Sequence, residues 1–303
     1  MIMGGTLHFL STRVRWPRAG AALVLAVALA ATPAAAQKSF STPDAAIDAL
    51  VDGLARHDDH EVRVVLGPEY RRLMPLDGEF EEDRTNFLAA WAQGHRVDRS
   101  GADARLVLND GWVLPIPIVR RGEGWMFDVR AGEDELRTRR IGRNELAAIS
   151  SMYAYLDAQR EYATQDRNGD GVLEYARRIL SKPGKHDGLY WPTADGEPPS
   201  PAGPLLDTRD LKDGYHGYRF RILDAQGPAA NGGARSYHSR GRLANGFALV
   251  AWPARYGETG VMSFLINHDG VVYQKNLGPA TASIANAMTR FDPDATWAAL
   301  PAP

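Results

Sequence analysis

The chain has 303 residues, 44% of them hydrophobic, with 35 basic and 37 acidic side chains and no cysteine. That length allows about two domains, each with a core of ordinary size. A formal net charge of −2 excludes the basic footprint of a nucleic-acid or anionic-lipid binder, and the missing cysteines exclude disulfides and cysteine lipidation.

Arg13, Arg15 and Arg18 form a positive region ahead of the apolar run "AGAALVLAVALAA". Small residues Ala34 and Ala36 follow in "TPAAAQ", at the spacing of a cleavage site. The run is too short to span a bilayer comfortably. Residues 1–36 are therefore expected to be a cleaved signal peptide, leaving a periplasmic or secreted chain with no membrane span. The mature chain loses three arginines and no acid, so it is more acidic than the precursor.

The mature chain opens on a helix signal, with Thr42 as N-cap, Pro43 at the first helical position and Ala46, Ile47, Leu50, Val51 and Leu54 at helical spacing. A short helix is predicted over residues 60–66, stopped at Gly67-Pro68, and another over residues 81–93, with Phe87, Leu88 and Trp91 on its apolar face. Strand signals follow: "ARLVL", the turn Asn109-Asp110-Gly111, "WVLPIPIVR", and then "WMFDV". Pro115 and Pro117 donate no ladder hydrogen bonds, so the middle strand should be an edge or be bulged. Helices followed by an antiparallel meander predict an α+β domain over residues 37–140, similar in order to NTF2-like and cystatin-like folds.

A second α+β domain is predicted over residues 141–303. It begins with a helix capped by Asn144, whose face carries Leu146, Ile149, Met152, Tyr153 and Leu156. An acidic turn, a short helix over residues 173–180 and a long Pro/Gly-rich loop over 181–214 come next. Four strands complete it: "YRFRIL", "GFALVAWP", "GVMSFLIN" and "GVVYQK".

The stretches "IGRNELAAI", "DAQREYA", "NGDGVLEYA", "KHDGLYWP", "YHGYRFRIL", "GFALVAWPARYG", "GVMSFLINHDGVVYQKNLG" and "MTRFDPDATW" resemble an exported bacterial family catalogued as domain of unknown function 2950. The resemblance implies export and brings no activity with it. The order of long helix, acidic loop and meander also resembles the globular part of pilins and pseudopilins. This helix lacks their long apolar extension, so filament assembly is not implied.

"DRNGDGVLEY" places Asp166, Asn168, Asp170 and Glu174 at the first, third, fifth and ninth positions of a calcium-loop pattern, with glycine at the sixth. The twelfth position, where a bidentate carboxylate belongs, is Arg177. Calcium would need a further carboxylate such as Asp187 or Asp195; the alternative is a turn built by Asp and Gly backbone preferences. No cofactor is otherwise required. Hydrolase motifs are absent: there is no G-x-S-x-G, and His60-Glu61 lacks its second histidine because Val64 stands there. His186, His216 and His238 fall in loops, where they could serve a metal or act as acid and base. The aromatic loops carry Tyr190, Trp191, Tyr215, His216 and Tyr218, whose rings could stack on a sugar, grip a peptide, or staple the loop to the sheet. The expectation is an exported envelope binding or accessory protein acting on a protein or glycan through these loops. The alternatives are an envelope hydrolase using loop His and Asp residues and a calcium-ordered structural module.

Overall fold

The computed structural model describes residues 37–73, 80–167, 169–194, 196–203 and 214–301. The expected signal peptide, Asn168 and Asp195 lie outside the described residues. Helices and antiparallel sheets together place the chain in the α+β class.

Helix α1 (Pro43–Ala55) starts where the sequence predicts, the Thr42 hydroxyl accepting the Ala45 amide at 3.1 Å. Its buried residues Ala46, Ile47 and Leu50 pack on α2 (Asp59–Leu66), which the Asp58 carboxylate caps through the Glu61 amide at 3.0 Å. Gly67, with φ of 92°, ends α2 in a conformation that suits glycine. A 3₁₀ turn (Tyr70–Leu73) and α3 (Phe80–Gln93) precede four strands, β1 (His95–Ser100), β2 (Asp103–Leu108), β3 (Ile118–Arg121) and β4 (Gly124–Phe127). They pair antiparallel in sequence order. The polar sequence "HRVDRS" gives β1 no apolar alternation, so periodicity does not predict it. "WVLPIPIVR" is not one strand. Leu114 bonds locally to Leu106, the two prolines interrupt the ladder, and pairing resumes at Ile118. Ile47, Leu106, Ile118 and Phe127 meet in the first core.

Helix α4 (Val129–Tyr162) is longer than expected and begins at Asp128, whose side chain accepts the Ala131 amide at 3.1 Å. Asn144 is therefore not a cap. Mid-helix, it donates to Thr259 O at 2.8 Å, and Glu145 accepts from the amides of Val261 and Met262 at 2.9 and 3.0 Å. The first half of α4 has no apolar stripe, so helical periodicity does not reveal it. Ion pairs Arg137–Asp134 and Arg139–Glu135 support it, each contributing about 0.3–0.5 kcal/mol. Gly132 lets it press against Ile116, 3.1 Å from where a Cβ would lie.

The second half of α4 packs on a five-stranded antiparallel sheet. Its strands are β5 (Tyr218–Leu223), β10 (Ala248–Pro253), β11 (Met262–Asn267), β12 (Tyr273–Asn276) and β14 (Ala298–Ala299), in the order β14-β12-β11-β10-β5. Short strands β6 (Ala225–Gln226), β7 (Arg235–Ser236), β8 (His238–Ser239), β9 (Arg242–Leu243) and β13 (Arg290–Phe291) flank it. Every residue of β10 is buried, so both its faces are covered; α4 and α5 (Thr281–Ala287) each pack against it. Met152, Leu156, Phe247, Phe264 and Ile266 lie in this second core. Among the described residues, no helix is long and apolar enough to cross a membrane.

The helix predicted over residues 173–180 is absent. Tyr175 donates to Leu243 O at 2.8 Å, and the buried Gln159 amide bonds both backbone groups of Ala176, each at 2.8 Å. Those partners hold the segment extended, which local propensity does not encode.

Replacing Gln159 with Ala leaves both Ala176 groups unpaired in the core and should cost about 2–4 kcal/mol, read as a lower urea midpoint. A loss under about 1 kcal/mol would mean that the segment holds without the clamp. A second outcome concerns alkaline pH. Burial raises the phenols of Tyr162 and Tyr237 from 10.0 to about 12, and those of Tyr155 and Tyr218 further. Because the folded values are raised, this stability is intact below pH 10 and is lost as pH climbs through 12. Melting temperature should fall steeply across that window, with the phenolate absorbance of these four tyrosines appearing together with unfolding rather than before it.

Candidate functional site

The acidic loop follows directly on α4. One Asp166 oxygen accepts the amides of Gly169 (2.8 Å) and Asp170 (3.3 Å), and the other accepts that of Gly171 at 2.7 Å. Asp170 accepts the Val172 amide at 3.0 Å and takes the Arg242 guanidinium on its other oxygen, at 2.6 and 3.0 Å. Glu174 is half-buried and close enough to Tyr162 to push its phenol upward, after burial itself. Asn168 lies outside the described residues. Asp187, considered as a further ligand, accepts the Lys182 amide at 2.9 Å and faces Arg178 at 3.5 Å. The Lys182 amide first, and then Arg178, hold its carboxyl below the usual range. Among the described residues no three His, Cys, Asp or Glu side chains are grouped to hold a metal. Glycines at φ of 75° and 80° (Gly169 and Gly171) give the loop its curl.

The aromatic residues divide between core and rim. Tyr218 is 0% exposed; its hydroxyl donates to Met262 O at 2.8 Å and its ring fills the space that a Cβ on Gly260 would need. Trp191 is buried, stacked on His186 with ring centroids 4.2 Å apart, and the Arg167 guanidinium lies over its ring. Neither offers a free ring face: strand alternation turns Tyr218 inward, and His186 and Arg167 lie against the Trp191 ring. Tyr190 and Tyr215 are half-buried, and His216 is exposed with its ring against that of Tyr215. The loop histidines have separate partners, His186 on Trp191, His216 on Tyr215 and His238 on Asp224 at 3.0 Å.

Tyr215 borders a small apolar groove that is open to solvent. The groove is lined by Ser151, Ala154 and Tyr155 of α4, by Phe220 and Leu249 of the sheet, and by Ile179 with Leu189 and Ala202 of the long loop. The loop is pinched into that position by a parallel bridge between Leu180 and Tyr190, and Gly188 sits so close to Leu180 that a Cβ would lie 2.7 Å from the Leu180 carbonyl carbon. Small residues at 151 and 154 on the helix leave the space open. Of the sequence candidates only Tyr215 lines this groove. The other lining residues carry no motif; three elements far apart in sequence bring them together.

Among known proteins, no curated protein and no solved structure matches this chain. The family model described as "Protein of unknown function (DUF2950)" matches residues 37–300, covering both cores, the acidic loop and the groove. The chain therefore belongs to the DUF2950 family.

Proposed function

We propose that this is an exported cell-envelope binding or accessory protein, with residues 37–140 and 141–303 as its two domains, which receives an apolar group of an envelope protein between α4 and the long loop. The groove carries the proposal: an apolar concavity with a half-buried tyrosine at its border suits an inserted side chain of a polypeptide. A sugar would need an exposed ring face to stack on, and the burial of Trp191 and Tyr218 favours protein over glycan. The positive, apolar and small-residue segments of residues 1–36 support export to the periplasm or medium. No cofactor is required; in the acidic loop the Asp166 and Asp170 carboxylates are engaged by loop amides and Arg242.

Filling the groove with Ala154→Trp should abolish binding of an apolar fluorophore and capture of envelope polypeptides by the purified protein, with the melting temperature nearly unchanged. Full capture with the groove filled would move the site elsewhere. The melting curve should be identical in EDTA and in calcium, because the Asp166 and Asp170 carboxylates are held by loop amides and Arg242. A gain of roughly 2–3 kcal/mol at a hundredfold excess of calcium over Kd, absent in Asp170→Ala, would make the loop a metal site.

A further inference from the structure

Gln37 directly follows the small residues of the expected cleavage site, and its side chain has a crevice of its own. The carboxamide nitrogen donates to Phe127 O at 2.7 Å, at the end of β4, and to Val65 O at 3.2 Å, in the last turn of α2. Gly67 forms one side, and a Cβ there would lie 3.4 Å from both Cβ and Cδ of Gln37. The following residues fix the backbone. Lys38 N donates to Val64 O at 2.9 Å, and Phe40 and Trp125 exchange amide bonds at 2.8 Å. Glu69 and Asp128 line the same crevice.

We propose that Gln37 becomes the amino terminus when residues 1–36 are removed, and that this crevice protects it from cyclisation. The proposal rests on the export reading above. A loose terminal glutamine closes on itself. The α-amino nitrogen attacks Cδ, the N–Cδ bond forms, the Cδ–Nε2 bond breaks, and ammonia departs carrying a proton from the amine. No co-reactant is needed. In the folded chain Nε2 is tied to carbonyls of two other elements, so Cδ reaches its own nitrogen only after both hydrogen bonds break. Losing two such bonds slows ring closure roughly thirtyfold relative to the unfolded chain. The terminus then stays an open glutamine with a free amine.

The test is to express the full chain in an exporting bacterial host and read the intact mass and amino-terminal peptide of the mature protein. The expected product starts at Gln37 with its carboxamide intact. On storage at one pH, it should lose ammonia roughly thirtyfold more slowly folded than in urea. A start at any other residue overturns the processing step and with it the proposal. A Gln37 start that is already cyclised on isolation, or that cyclises as fast folded as unfolded, overturns the protection alone and leaves export standing.

Discussion

Backbone polar groups that enter a core without joining a helix or sheet must find partners, and one side-chain amide meets that constraint for the second half of this molecule. Gln159 reaches from α4 and bonds the N–H and C=O of Ala176, and its nitrogen also meets the Tyr155 hydroxyl at 3.0 Å. Ala176 is thereby held against the helix as a strand neighbour would hold it. The chain beyond it returns through the Leu180–Tyr190 bridge, so Ile179 and Leu189 come to face Ala154. The groove exists because an irregular segment can be buried at that point. Gln226 acts similarly, its nitrogen donating to Asn231 O and Gly233 O at 2.7 Å and its oxygen accepting from Tyr237. A chain without cysteine ties its loops with amides.

The middle of α4 is the second organising contact. Arg140, Asn144 and Glu145 engage residues 258–262 through backbone groups only, so the turn before β11 is read by its shape and hydrogen-bonding pattern. Upstream, Arg139 donates to Val113 O at 2.9 Å and Arg72 pairs with Glu133. One helix thus belongs to both cores. Its outer residues at the crossing are charged because they face backbone and solvent instead of apolar side chains.

Where burial is one-sided or complete, the elements were legible in the sequence. Thr42-Pro43 with Ile47 and Leu50 marks α1, and "GFALVAWP" marks a central strand through its unbroken apolar run. What escaped depends on distant partners. The polar β1 is a strand because β2 pairs with it, the first half of α4 is helical through ion pairs and a close approach at Gly132, and residues 173–180 are extended through Gln159. The candidate site divides in the same way. The curl at Asp166 follows from local Asp and Gly preferences and was readable. The groove is assembled from positions near 151, 179, 220 and 249, which no local pattern connects, and only Tyr215 among the aromatic candidates borders it.

The division of the chain between its two cores bears on the order in which they form. Among the described residues, the buried side chains of the first core come from residues 40–129, whereas those of the second come from residues 148 to 291. For a chain emerging amino terminus first, the early core closes over short sequence separations, which is the faster kind of assembly. It also fixes the start of α4, so the costly first helical turn is already made when the later residues arrive. Propagation along that helix then delivers Glu145 and Gln159 at their final spacing, about 21 Å apart along the axis. The sheet that follows folds against a template instead of finding one.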